Sequence, residues 1–138
     1  MSPFNLTESY QKTLFDQIKN AFERQDYLTT IHLATKYMEK DKKNPWVYGY
    51  FGYSLFITQG QRELQLAVQY LSQAVKLNPN IPELYTFQGN FYRDTSDPYR
   101  SIPFYKKALE LDPENHFTLY CLGAACISLG EAEEGINC

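Results

Sequence analysis

Apolar residues recur along this chain at three- and four-residue steps, in runs separated by short polar turns. The first run holds Leu14, Phe15, Ile18, Ala21 and Phe22, the spacing of one helix face. Thr7 or Ser9 is expected to cap this helix 1A, leaving residues 1–7 as a tail, and Gln25-Asp26 to turn the chain after Arg24. Tyr27, Leu28, Ile31, Ala34, Tyr37 and Met38 predict helix 1B, with Lys40-Asp41-Lys42-Lys43 as a cationic last turn. Asn44-Pro45 opens helix 2A, where a proline lacks only an N–H that would be unpaired anyway. That helix, residues 46–57, is apolar on more than one face, as in a helix buried on several sides or presenting a binding face. Gln59-Gly60-Gln61 turns into helix 2B, with Leu64, Ala67, Val68, Leu71, Ala74, Val75 and Leu77. Pro82 opens helix 3A and Asp97-Pro98 helix 3B, where Pro103 is expected to bend or delay the helix. Helix 4A spans residues 116–129, Gly130 ends it, and residues 131–138 begin a further helix.

The runs repeat. Residues 73–89 and 107–123 are two copies of one stretch: Ala74 and Ala108, Leu77 and Leu111, Pro79 and Pro113, and Gly89 and Gly123 are each 34 residues apart. A period of that size marks stacked helical hairpins. Gly52, Gly89 and Gly123 share one position, filled by Ile18 in the first unit; Ile31, Val68, Ile102 and Ile136 share a second. The step between the two is 13 residues except from Gly52 to Val68, where it is 16, so the second unit carries three extra residues in the turn around positions 58–66. A longer surface loop is tolerated. Glycine in a helix interior is unfavourable, so its recurrence points to close approach by helix B, at positions of the Ala74 and Ala108 type.

In this register the chain resembles the tetratricopeptide repeat (TPR) family. Unit three carries Tyr85, Gln88-Gly89, Tyr92, Ser101, Tyr105, Ala108 and Pro113; unit two Tyr48, Phe51-Gly52, Leu55, Ala67, Leu71, Ala74 and Pro79. Unit four has Leu119, Leu122-Gly123, Cys126 and Gly130. Unit one is weaker, with Leu14, Gln17-Ile18, Ala21, Asp26-Tyr27 and Ile31, and Lys42 where the terminal proline belongs. The resemblance implies an all-α fold, a right-handed superhelical stack of antiparallel hairpins. Its domain would span residues 8–138, with repeats at about 11–44, 45–81, 82–115 and a partial one at 116–138. A solenoid end needs a polar cap, so Ala125, Ile127 and Leu129 imply that the chain continues or that another molecule covers helix 4A.

Composition narrows the function. The formal net charge is -3 with dispersed basic residues, against a nucleic-acid footprint. A basic leader, a long apolar run and a secretion signal are lacking, so no membrane partner and a cytoplasmic location are expected. Cys121, Cys126 and Cys138 show no framework spacing and read as free thiols. His32 and His116 sit in no ligand pattern, and no phosphate loop or nucleophile with a base is present, so neither a metal, a cofactor nor an enzymatic activity is expected.

TPR arrays hold an extended peptide or helix in a concave groove lined by the A helices. The resemblance places Lys12, Phe15, Lys19 and Phe22 there from unit one; Trp46, Tyr50, Tyr53 and Phe56 from unit two; Glu83, Phe87, Asn90 and Arg93 from unit three; and Tyr120 from unit four. Aromatic side chains with polar tips suit such a surface, and Tyr50, Tyr53, Asn90 and Arg93 are its leading candidates. Aromatic residues at helical spacing equally suit the core between repeats. One subset of the family clamps a chaperone's terminal carboxylate with Lys, Asn and Arg; the corresponding Phe15, Lys19, Tyr50, Glu83 and Phe87 lack that set. Another carries an Asn ladder, replaced here by Asp16, Tyr50, Phe87 and Cys121. The expected function is a protein-interaction scaffold. Alternatives are a substrate-recruiting arm of a larger enzyme such as a glycosyltransferase, a small TPR chaperone, or a homodimer formed through helix 4A.

Overall fold

The computed structural model describes residues 3–95 and 98–133, with side chains from Glu8 to Gly130 outside that gap. Among the described residues there are helices and turns and no strand. The helices are α1 (Pro3–Glu23), α2 (Tyr27–Met38), α3 (Pro45–Gln59), α4 (Leu64–Leu77), α5 (Pro82–Thr95), α6 (Ile102–Leu111) and α7 (His116–Glu133), with 3-10 turns at Gly60–Glu63 and Pro98–Ser101. They form two compact units, Met1–Leu77 and Asn78–Cys138.

In the first unit α1 pairs with α2, α2 with α3, and α3 with α4. Leu14, Ile18 and Ala21 face inward from α1, and Ala67, Leu71 and Ala74 from α4. Burying each of the larger of these side chains contributes about 1.5–3 kcal/mol. In the second unit α5 pairs with α6, and α7 packs on both. Tyr105 is fully buried there with Cys121 and Ala125, and Ile102 and Leu122 pack against them.

The junctions show why the helices break where they do. At the end of α1, Gln25 N–H donates to Phe22 O (2.9 Å), Asp26 N–H to Ala21 O (2.9 Å), and Gln25 has φ 62°. This pairing at a left-handed residue usually carries glycine. Asp26 then caps α2, its Oδ1 accepting from Thr29 N–H at 3.2 Å; hydrogen bonding from the Thr29 side chain, and after it from this N–H, holds the Asp26 carboxyl below the ordinary range. Replacing Gln25 with Gly is expected to raise unfolding stability by about 0.5–1 kcal/mol, because only the glycine takes this φ without strain; an unchanged or lower urea midpoint would contradict that. Asn44 caps α3 through Oδ1, which accepts from Trp46 N–H (3.0 Å) and Val47 N–H (3.3 Å). Its Nδ2 donates to Tyr37 Oη, which donates to Asp41 Oδ2, each at 3.1 Å.

The ends of α1, α2 and α7 differ from the sequence-based expectations, while the inserted turn and the effect of Pro103 follow them. Helix α1 begins at Pro3, so neither Thr7 nor Ser9 caps it and the tail does not reach residue 7. Helix α2 ends at Met38, capped by Glu39, so Lys40, Lys42 and Lys43 lie beyond its last turn. The insertion of unit two coincides with the four-residue 3-10 turn Gly60–Glu63, inside the turn expected around 58–66. Pro103 delays its helix: Pro98–Ser101 is 3-10, and regular α-helix starts at Ile102, where a proline near the N-terminus loses no bond. Helix α7 continues through Gly130 to Glu133, since a lone glycine weakens a helix without ending it; the further helix expected from position 134 lies outside the described residues. Cys121 is free and buried. Cys126 is disulfide-bonded, contrary to the expectation of free thiols.

Candidate functional site

The helix-A surface of the first unit is an aromatic row. Phe22, in the last turn of α1, is its hub: its ring centroid lies 4.5 Å from Tyr50, 5.8 Å from Tyr53 and 5.7 Å from Tyr27. Trp46 lies 5.7 Å from Tyr50, and Tyr53 5.7 Å from Phe56. Edge-to-face and tilted contacts of this kind contribute about 0.5–1.5 kcal/mol each beyond area burial. Tyr50 and Phe56 are 6% and 8% exposed and form the floor. Phe22, Trp46, Tyr53 and Tyr27 are half-buried and keep surface available. Phe15 is half-buried against Tyr37, centroids 6.3 Å apart. Lys12 and Lys19 are exposed on the same stripe of α1. Burial pushes the Tyr27 hydroxyl pKa up, so it stays a neutral donor at physiological pH.

In the second unit the expected contact residues divide by depth. Phe87 and Asn90 are buried, Arg93 is half-buried, and Tyr120 is 76% exposed. Asn90 Oδ1 accepts a 2.6 Å hydrogen bond from Tyr105 Oη, reaching across from α6. Arg93 Nε donates to Asp94 Oδ1 at 3.0 Å. Burial pushes the Cys121 thiol pKa up, while hydrogen bonds from Asn90 and Arg93 pull it down. Beside this cluster, the hydroxyls of Thr86 and Thr118 are 2.7 Å apart and buried, tying α5 to α7.

Two of the four leading candidates thus lie deeper than expected. Tyr50 is enclosed by Phe22 and Trp46, and Asn90 is held by Tyr105, so both build the surface from beneath. Tyr53 and Arg93 remain at it. Two contributors were missed. Tyr27 stands at the first position of α2, and the Gln25-Asp26 turn brings it back beside Phe22; its place just after the cap was the available signal. Spacing marks Tyr105 only as a repeat position, and nothing in it shows that the hydroxyl reaches Asn90. The helix-A glycines also meet other partners than expected. A Cβ at Gly52 would lie 3.0 Å from Ala67 O and 3.1 Å from Leu71 Cγ, and one at Gly89 would strike the Tyr105 ring. Antiparallel helices pair residues at similar distances from their turn, and Ala67, Leu71 and Tyr105 are nearer to it than Ala74 and Ala108.

Charge on these faces is sparse. Where a carboxylate clamp would sit, Lys19 is exposed, Phe15 and Glu83 half-buried, and Tyr50 and Phe87 buried. Asn115 Nδ2 donates to Glu83 Oε1 at 3.4 Å. Among the described residues no three His, Cys, Asp or Glu side chains converge as a metal site requires. Among them too, no helix is long and apolar enough to cross a membrane.

Antiparallel hairpins with a glycine at the α3–α4 and α5–α6 contacts define a helical-repeat protein. Residues 82–115 and 104–137 each match a family model described as tetratricopeptide repeat. Residues 82–137 thus match the tetratricopeptide repeat family. Its fold is similar to that of the first TPR domain of human RPAP3 (TM-score 0.74, 22% identity, 90% of this chain and 95% of that one). It is similar also to the first TPR of Spaghetti (RPAP3) bound to the HSP90 peptide SRMEEVD (TM-score 0.71, 22% identity, 87% and 93%) and to MamA (TM-score 0.72, 20% identity, 96% and 71%). Comparison with curated proteins gives no match.

Proposed function

We propose that the chain is a non-enzymatic interaction module that takes a peptide or helix of a partner protein on the helix-A faces of its hairpins. The observation that carries this is the half-buried row Trp46, Phe22, Tyr53 and Tyr27, fixed by ring contacts to Tyr50 and Phe56. Large side chains held in place contribute contact area at small entropic cost, and their polar tips supply hydrogen bonds. The likeness to a TPR domain solved with a bound peptide supports the same use of the fold. The recognised segment is internal and partly apolar. Of the five clamp positions only Lys19 carries a cation; Phe15, Tyr50 and Phe87 carry none to pair with a terminal carboxylate, and Glu83 repels one.

Two titrations test this. The peptide SRMEEVD is expected to bind the chain no more tightly with a free C-terminus than amidated; a tenfold preference for the free carboxylate would restore the clamp. For a partner segment identified by affinity capture from the host, Tyr53→Ala with Phe22→Ala should weaken binding by about 2 kcal/mol or more, as for a hot spot. Unchanged affinity with intact helix content would remove this face from the account.

A further inference from the structure

Resting on that reading of the helix-A face, we infer that the segment held on the first unit is proline-rich and extended, with two prolines three residues apart. Trp46 and Tyr53 stand seven residues apart on α3, which is about 10.5 Å along a helix. A polyproline II strand repeats every three residues, or about 9.3 Å. Crossing α3 at about 30°, such a strand sets one proline ring on Trp46 and the next on Tyr53. Both platforms are half-buried and keep surface available. Between them lies Phe22, 4.5 Å from Tyr50 and 5.8 Å from Tyr53.

The polar chemistry of the row favours this occupant over an α-helix. None of Phe22, Tyr27, Trp46 and Tyr53 is charged. What the row offers is donors: the Trp46 indole N–H toward one end, and toward the other the hydroxyls of Tyr53 and Tyr27, whose rings lie 6.4 Å apart. A bound α-helix uses most of its carbonyls internally and leaves such donors unmet. A polyproline II strand has no internal hydrogen bonds, so its carbonyls are open to accept, and proline brings no N–H that needs an acceptor. The rings hold one another in place and the strand is extended before it binds, so little freedom is lost on either side.

Trp46 is the single tryptophan of the 138-residue chain, so its fluorescence reads this place directly. The probes are decaproline, serine peptides carrying two prolines three or four residues apart, and an amphipathic helix of Leu, Glu and Lys. Circular dichroism is the folding control. Decaproline and the three-apart peptide are expected to shift the Trp46 emission saturably, the four-apart peptide binding about tenfold more weakly. Tyr53→Ala should weaken decaproline about tenfold, as for a hot spot. Tyr27→Phe removes one hydroxyl, keeps the ring and should weaken it about threefold. Equal binding of the three-apart and four-apart peptides overturns the inference, as does decaproline binding that neither variant changes. Emission unchanged by decaproline up to millimolar concentration overturns it too, whether or not the helix binds. None of these results removes the helix-A face as a site; unchanged affinity of the captured partner for the Tyr53→Ala, Phe22→Ala chain does that separately.

Discussion

Gly89→Ala is expected to destabilise the chain, and Gly123→Ala, at the same place in the repeat, to stabilise it. A methyl at Gly89 would sit 2.5 Å from Tyr105 Cε1, 2.7 Å from Cδ1 and 2.9 Å from Cζ. The ring is fully buried and its hydroxyl is bonded to Asn90, so it has no cheap way to move. Forcing a methyl into a packed core costs about 1–3 kcal/mol. The opposing gain from replacing a helical glycine is about 1 kcal/mol, so the net loss should reach about 2 kcal/mol where the ring cannot yield. At Gly123 the propensity gain stands alone, and stability should rise by about 0.5–1 kcal/mol at concentrations where the chain is monomeric. Urea midpoints of the two variants measure both. A rise at Gly89 would mean that α5 and α6 are not held at this distance by Tyr105.

Tyr105→Phe is the second large effect. It deletes one oxygen and keeps the ring, so packing is preserved and the bond to Asn90 is lost. Asn90 is 2% exposed, and water cannot readily replace the donor. Removing one partner of a buried pair costs about 1–3 kcal/mol. The Asn90→Ala and Tyr105→Phe cycle should show a coupling of about 1 kcal/mol or more, as expected for residues in contact. Additive single effects would show that the hydroxyl and the amide do not depend on each other. Arg93 stands one helical turn after Asn90 on α5, so loss of this anchor should also loosen that part of the surface.

Most of the architecture was legible because it rests on local signals. Periodicity placed the seven α-helices of the described residues, and the 34-residue register found the hairpins. The excess of three residues before Val68 located the 3-10 turn at Gly60–Glu63. Errors fell at helix ends, where one residue's chemistry competes with its neighbours: Gly130 reads as a stop, yet α7 passes through it, and the lysines after Met38 read as a last turn, yet lie beyond it. The site was legible only in outline. Spacing assigns Tyr50, Tyr53, Asn90 and Arg93 to helix A, but not their depth. Depth depends on long-range partners, such as Phe22 over Tyr50 and Tyr105 under Asn90, at sequence separations that no local pattern encodes. The three aligned glycines make the same point. They look alike in sequence, and their surroundings differ from a ring in contact to open space.

Site-directed photocrosslinking tests the central claim most directly. A benzoyl-phenylalanine is placed either at Tyr53, on the helix-A aromatic row, or at His32, exposed on α2, and each variant is irradiated with the partner captured from the host. The account predicts that position 53 links to an internal, partly apolar segment of the partner and position 32 does not. Links from position 32 with none from position 53 would show that the partner is held elsewhere.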